Sequence, residues 1–129
     1  MMTKLNPTTE YQEHIEFLKW FCYSYPKYNR LLIHYPVGEK RDGYTGIKLK
    51  RMAARKGIPD FFLALPRRFS NTDNFRYAGL WLELKSKKGK LTKDQKFYLK
   101  EFEDRGYACG VAYGWEEAAK IVKYYLSGF

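Results

Sequence analysis

Histidine and cysteine are scarce in this 129-residue chain, with two of each. Cys22 and Cys109 lie far apart and match no metal-ligand spacing, and His14 and His34 alone cannot furnish a zinc centre or a histidine-based nuclease motif. Histidine is therefore set aside as the catalyst, and the cysteines are expected to be buried thiols in a reducing compartment. No apolar run reaches the roughly 18 residues that span a bilayer. The opening Met1-Met2-Thr3-Lys4-Leu5-Asn6-Pro7 leads into polar residues instead of an apolar signal region. A soluble, intracellular, cytoplasmic protein with no membrane partner is expected. Internal repeats and linkers are missing too, so residues 1–129 read as a single domain, long enough to enclose one core.

Acidic charge is in short supply: 24 lysines and arginines face 14 aspartates and glutamates, for a formal charge of +10. The excess is local. Residues 27–56 carry nine basic and two acidic side chains and residues 57–91 seven and three, whereas 92–129 is balanced and 1–26 slightly acidic. A basic stretch is often only a solvated face, but this one surrounds an acidic motif, which favours docking of a polyanion. Aromatic content is high at 19%, more than so small a core can enclose, so some rings must be exposed.

Periodicity supplies the elements. Residues 8–25 read as a helix with Tyr11, Ile15, Leu18, Cys22 and Tyr25 as its apolar stripe, closed by Pro26. Leu31 to Tyr35 is a short strand, 37–44 a glycine-rich loop, and Thr45 to Lys56 a basic helix stopped by Gly57. Asp60 to Leu65 is a strand, and Pro66 to Ala78 a long basic hairpin connection. Leu80 to Lys85 alternates strictly, with Leu80, Leu82 and Leu84 on one face and Trp81, Glu83 and Lys85 on the other. Thr92 to Arg105 is a helix with Phe97, Leu99 and Phe102 toward the core, stopped by Gly106. Strand Ala108 to Tyr113 and helix Trp115 to Leu126 complete the order α-β-α-β-β-α-β-α, an α/β or α+β domain with a mixed sheet flanked by helices.

Chemistry concentrates at Pro59-Asp60 and, after 22 intervening residues, Glu83-Leu84-Lys85. Period two sends Glu83 and Lys85 from one sheet face about 7 Å apart, and an antiparallel pairing brings Asp60 to the same edge. Two converging carboxylates repel unless a cation sits between them. Oxygen donors suit a hard ion, Mg²⁺ or Mn²⁺, with the Leu84 backbone carbonyl as a further ligand. Such an ion polarises a phosphodiester and acidifies water. Lys85 either orients or deprotonates that water or neutralises the phosphate, and the sequence leaves these tasks open. Ordinary explanations exist for each piece. Glu-x-Lys is a common exposed ion pair, Pro-Asp a common turn, Thr92-Lys93-Asp94-Gln95 a capping box, and Glu10 a first-turn acid suited to a helix dipole. Their co-occurrence in one basic domain favours chemistry.

The ordered set Lys56-Gly57-Ile58-Pro59-Asp60-Phe61-Phe62, Gly79-Leu80-Trp81-Leu82-Glu83-Leu84-Lys85 and Gly89-Lys90-Leu91-Thr92-Lys93-Asp94-Gln95, with Gly106-Tyr107 and Thr9-Glu10-Tyr11-Gln12, resembles the VRR-NUC family of the PD-(D/E)XK nuclease superfamily. The chain is similar to its minimal stand-alone form from phages and bacteria. The resemblance implies a restriction-endonuclease-like core and metal-dependent phosphodiester hydrolysis in a bacterial or phage-infected cell. Asp60 and Glu83 would be metal ligands and Lys85 the catalytic lysine. Gln95 would be the supporting residue, and Glu10 the first-helix acid, ahead of Glu13, which lies on another helical azimuth. It also implies a homodimer cutting branched DNA such as four-way junctions, since a symmetric junction needs two matched cuts.

Phosphate contacts are expected from Lys40, Arg41, Lys48, Lys50, Arg51, Arg55 and Lys56, from Arg67, Arg68 and Arg76 on the hairpin, and from Lys87 and Lys88 in the turn after Lys85. No recognition-helix signature is present, so shape rather than base sequence is read. Two alternatives predict no metal-dependent cutting: a non-catalytic basic DNA-binding module of recombination or packaging, and an RNA- or partner-binding protein using its exposed aromatics. A pure binder gains nothing from acids near phosphate.

Overall fold

The computed structural model describes residues 8–35, 46–52, 55–68 and 75–127. Helix α1 (Glu10–Ser24) starts in a capping box: the Thr9 hydroxyl accepts the Gln12 N–H, and the Gln12 side chain accepts the Thr9 N–H. After Tyr25 a 3₁₀ turn (Pro26–Leu31) leads into strand β1 (Leu32–His34). Pro26 thus opens a turn as well as ending a helix, because its fixed φ suits a first helical position. Helix α2 (Gly46–Arg51) is shorter than the expected Thr45 to Lys56. Strand β2 (Phe61–Leu63) follows. The Pro66 to Ala78 connection contains a two-stranded ribbon, β3 (Arg67–Arg68) with β4 (Phe75–Tyr77), two strands beyond the expected order. Then come β5 (Leu80–Lys85), α3 (Lys93–Asp104), β6 (Ala108–Tyr113) and α4 (Trp115–Leu126). The 37–44 loop lies outside the described residues.

The main sheet runs β1-β2-β5-β6, antiparallel except for the parallel β5–β6 pair, so it is mixed as expected. Its central strand β5 separates two layers. The leucine face packs against α1 and α4, where Phe17, Phe21, Phe61, Leu82, Leu84, Ala118 and Val122 are fully enclosed. On the opposite face Trp81 stacks on Phe102 of α3, with ring centroids 4.5 Å apart and planes 8° from parallel. Phe62 and Tyr107 extend this second aromatic layer.

Three expectations are corrected. The buried face of α1 is Glu13, His14, Phe17 and Phe21, about one residue round from the predicted stripe, and Tyr11 is 67% exposed. Apolar count misled because half of the true face is polar. Phe97 on α3 is 57% exposed, whereas Phe102, also expected toward the core, does make the packing contact with Trp81. Neither cysteine is fully buried: Cys22 is exposed, on the outer side of α1, and Cys109 is partly buried with its thiol toward the Leu99 carbonyl. Exposed rings, by contrast, occur as composition requires, at Tyr11, Tyr23 and Tyr124.

Gly57 and Gly106 both adopt φ near +95°, but their surroundings differ. Nothing lies within 4 Å of a Cβ added to Gly106, whereas one on Gly57 would stand 2.6 Å from the Asp94 backbone at the start of α3. Gly106→Ala is expected to cost about 1–2 kcal/mol of backbone strain. Gly57→Ala should cost clearly more in urea unfolding, and equal losses would contradict the packing of the Gly57 turn on α3.

Candidate active site

The antiparallel register aligns Phe61 with Leu82, which carries Asp60, one residue before β2, to the level of Glu83. Two backbone bonds fix Asp60 there. Its carboxylate Oδ2 accepts the Leu84 N–H at 2.8 Å, and its carbonyl accepts the Tyr35 N–H at 2.7 Å. Glu83 and Lys85 share the sheet face that α3 covers, and both are buried, Glu83 with only 1% of its surface exposed. Lys85 Nζ stands 3.6 Å from Glu83 Oε1. The same oxygen accepts a 3.0 Å hydrogen bond from Gln95 Nε2, while Gln95 Oε1 accepts the Thr92 N–H that opens α3. Gln95 therefore completes the predicted capping box and also holds the acid.

Glu83 Oε2 is buried and has no hydrogen-bond donor among the described residues. Burial pushes the carboxyl up to about 8; the negative charge and a hydrogen bond of Asp60 add to the rise, and the Lys85 charge opposes it. A lone buried carboxylate oxygen beside a second carboxylate is satisfied by either a proton or a cation. The hard oxygen donors present suit a divalent ion of the magnesium or manganese type.

Helix α1 borders the same acids from the other layer. Glu10, His14 and Asp60 each place one ligand atom within 4.8 Å of the others. His14 Nε2 lies 3.0 Å from the Leu84 carbonyl oxygen, 3.5 Å from Asp60 Oδ2 and 3.8 Å from Glu10 Oε1. Burial alone lowers the basicity of His14, but the hydrogen bond and charge of Asp60, with the Leu84 carbonyl and Glu10, outweigh it and the net direction is upward. Sequence reasoning set histidine aside, yet His14 is 93% buried at the centre of this group, exposed by only 7%. The available signal was its i, i+4 spacing from Glu10 on the face that also carries Phe17 and Phe21. The Leu84 carbonyl does face the acids, as expected for a ligand, but here it is engaged by His14. Glu13 is buried and points elsewhere, its Oε2 3.4 Å from a Cβ built on Gly114 at the start of α4.

The basic positions divide. Arg55 and Lys56 are exposed just ahead of the Gly57–Asp60 turn, and Lys87 and Lys88 are exposed in the turn after β5, so these four flank the acids. Lys48 and Arg51 are exposed on α2. The hairpin bearing Arg67, Arg68 and Arg76 leaves the sheet at the Leu63–Leu80 end, about 15 Å along β5 from Lys85. There Arg67 lies over the Tyr124 ring, at the rim of a cavity of about 300 Å³ that also involves Tyr77 and Tyr107. Lys40, Arg41 and the side chain of Lys50 lie outside the described residues, as does the Pro36 to Glu39 stretch. Among the described residues no helix is long and apolar enough to cross a membrane.

The VRR-NUC domain family matches residues 39–116, well over half of the chain and inclusive of Asp60, Glu83, Lys85 and Gln95. A solved structure described as "VRR_NUC domain protein" superposes with a TM-score of 0.79, covering 96% of this chain and 93% of that one at 22% identity, which extends the likeness of fold through α1. No curated protein matches the chain.

Glu83 gains a proton on folding between its ordinary value of 4.5 and about 8, so its contribution is full at low pH and is lost as pH rises to about 8. His14, raised above 6.5, acts in the same sense, its contribution disappearing as pH climbs through its folded value. In chelator, the melting temperature should fall between about pH 5 and pH 8.5, by roughly 4 °C for each kcal/mol. Glu83→Gln should flatten most of that decline and melt above the wild-type protein at the upper end. A wild-type profile that rises with pH would contradict the buried acid.

Proposed function

The chain belongs to the VRR-NUC family, a family of nuclease type, and from that premise we propose that it is a Mg²⁺- or Mn²⁺-dependent endodeoxyribonuclease acting on branched DNA such as four-way junctions. Residues 1–129 form its single domain, and it works as a homodimer in the cytoplasm of a bacterial or phage-infected cell. The observation that carries the catalytic part is the donor-less Glu83 Oε2, buried beside Asp60 with Lys85 3.6 Å from the companion oxygen. That arrangement costs stability in an isolated fold and is satisfied by a cation.

Asp60 and Glu83 are the metal ligands, and Glu10 completes the acidic set from α1. A divalent ion bound there supplies positive charge against the developing phosphorane and lowers the pKa of water. Lys85 holds its ammonium against the same face, where it orients the attacking water or neutralises a non-bridging phosphate oxygen. Gln95 keeps Glu83 in a single rotamer by occupying Oε1, leaving Oε2 for the site. The backbone N–H of Leu84 fixes Asp60 so that its carboxylate need not reorganise. Water exclusion comes from the burial of Glu83 against Gln95 of α3 and of Lys85 against the Gly89 turn.

Arg55, Lys56, Lys87 and Lys88 border the acids and would hold the phosphates next to the cut. Lys48 and Arg51, the arginines of the hairpin, and Lys40, Arg41 and Lys50 would follow the duplex further out. Their role is electrostatic, so branched shape is recognised through the spacing of phosphates.

Purified protein with labelled junction, flap and duplex DNA tests the proposal. Cleavage should need added Mg²⁺ or Mn²⁺, stop in chelator and place paired, symmetric nicks in a junction. Asp60→Ala and Lys85→Ala should each lower the rate roughly 10²-fold or more while leaving junction binding in place. Cleavage unaffected by Asp60→Ala would assign the activity elsewhere, and tight junction binding with no cutting under any metal would leave a DNA-binding module. If about six phosphates are engaged, affinity should fall about 10³-fold between 50 and 200 mM salt. A flat response would remove the basic surface from the account.

A further inference from the structure

We infer that His14, through Nε2, is a ligand of the divalent cation proposed above, making the centre a mixed nitrogen–oxygen site that favours Mn²⁺ over Mg²⁺; the inference rests on that proposal. His14 lies outside the stretch matched by the family, residues 39–116. Its case comes from where α1 places it.

The side chain is buried, with 9% exposure, and is held by edge contacts to Phe61 and His34 at centroid distances of 5.2 and 5.5 Å. Packing therefore sets its direction. Nε2 faces three oxygens, from the Leu84 carbonyl, Asp60 and Glu10, at 3.0, 3.5 and 3.8 Å. Neighbouring ligands of a six-coordinate ion with bonds of about 2.1 Å stand about 3 Å apart and opposite ones about 4.2 Å; Nε2 already stands at such distances from all three oxygens, and the ligand atoms of Glu10, His14 and Asp60 lie within 4.8 Å of one another. The second, independent sign of a ligand is Glu83 Oε2, nine-tenths buried or more, without a donor among the described residues, on a carboxyl that feels the Asp60 charge. The carbonyl best placed to serve as a ligand touches His14, so a cation reaching Leu84 O also meets Nε2 once that nitrogen has given up its proton.

The donor set decides the preference. Mg²⁺ favours oxygen and retained water, whereas imidazole suits first-row transition ions, and Mn²⁺ accepts both donor types. An oxygen-only centre would discriminate less between the two ions.

The test is pulsed EPR of Mn²⁺ bound to the full chain, with calorimetry for affinity. Wild-type protein should show ¹⁴N coupling from a directly bound nitrogen, replaced by ¹⁵N coupling when the protein is grown with ¹⁵N-histidine. His14→Gln should lose the coupling and bind Mn²⁺ at least about tenfold more weakly, with a smaller change for Mg²⁺. His34→Gln should keep the coupling. Mn²⁺ bound without nitrogen coupling in the wild-type protein would overturn the inference while leaving Asp60 and Glu83 as an oxygen site. Coupling that survives in His14→Gln would overturn it too. The isotope experiment needs no variant, so misfolding of His14→Gln cannot mask the answer. No Mn²⁺ uptake by the wild-type protein, with or without DNA, would remove both the inference and the metal proposal beneath it.

Discussion

A carboxylate buried to 99% is the constraint around which this fold is arranged. Ionised and alone, Glu83 would be costly at the centre of a sheet, since the low-dielectric interior returns little of its lost hydration. The chain surrounds it with an amide donor from α3, an ammonium two residues along its own strand and a second acid from the neighbouring strand. Lys85 and Gln95 stabilise the charge; Asp60 opposes it. The balance leaves one oxygen without a hydrogen-bond partner among the described residues, a deficit that a proton or a cation would satisfy. Packing and chemistry therefore meet in one side chain. β5 can be lined by leucines on one face because its other face bears the chemistry, sealed behind Trp81 and Phe102.

Legibility in the sequence followed the strength of local rules. The bounds of β5, β6 and α4 agree with their patterns to the residue, because strict alternation and a clear apolar stripe leave few alternatives. α3 begins at Lys93 with Thr92 as its N-cap, as the capping box requires. α1 exists where expected but is turned, since hydrophobic periodicity is blind to a buried face built from Glu13 and His14. β3 and β4 are too short, at two and three residues, for any periodicity to show. The convergence of Asp60 with Glu83 was readable from a hairpin argument, as both belong to adjacent antiparallel strands. His14 was not: its partners lie 46 residues away at Asp60 and 70 away at Leu84, and only the packing of α1 across the sheet brings them together.

Among the described residues, two basic groups lie at opposite ends of the sheet axis. Basic residues flank the acids at the Glu83–Lys85 end, and three arginines leave through the hairpin at the opposite end. The separation is about 15 Å, which exceeds the screening length of roughly 8 Å at physiological salt. The two groups therefore act nearly independently on a bound polyanion. A phosphate placed at the acids would feel chiefly the first group. Such a division lets affinity vary without disturbing the ionisation of the buried carboxylates.

Helix capping boxes ordinarily accept glutamine and glutamate as equals, because either side-chain oxygen can receive the N-cap amide. At position 95 that equivalence is broken. The carbonyl half of the Gln95 amide closes the helix and its nitrogen half grips Glu83. Glutamate would close α3 just as well, but it would set a third anion against two that already repel. The start of a helix has thereby become selective for a neutral side chain, and a choice that looks conservative on any helix surface is here a choice about the charge state of a neighbouring strand.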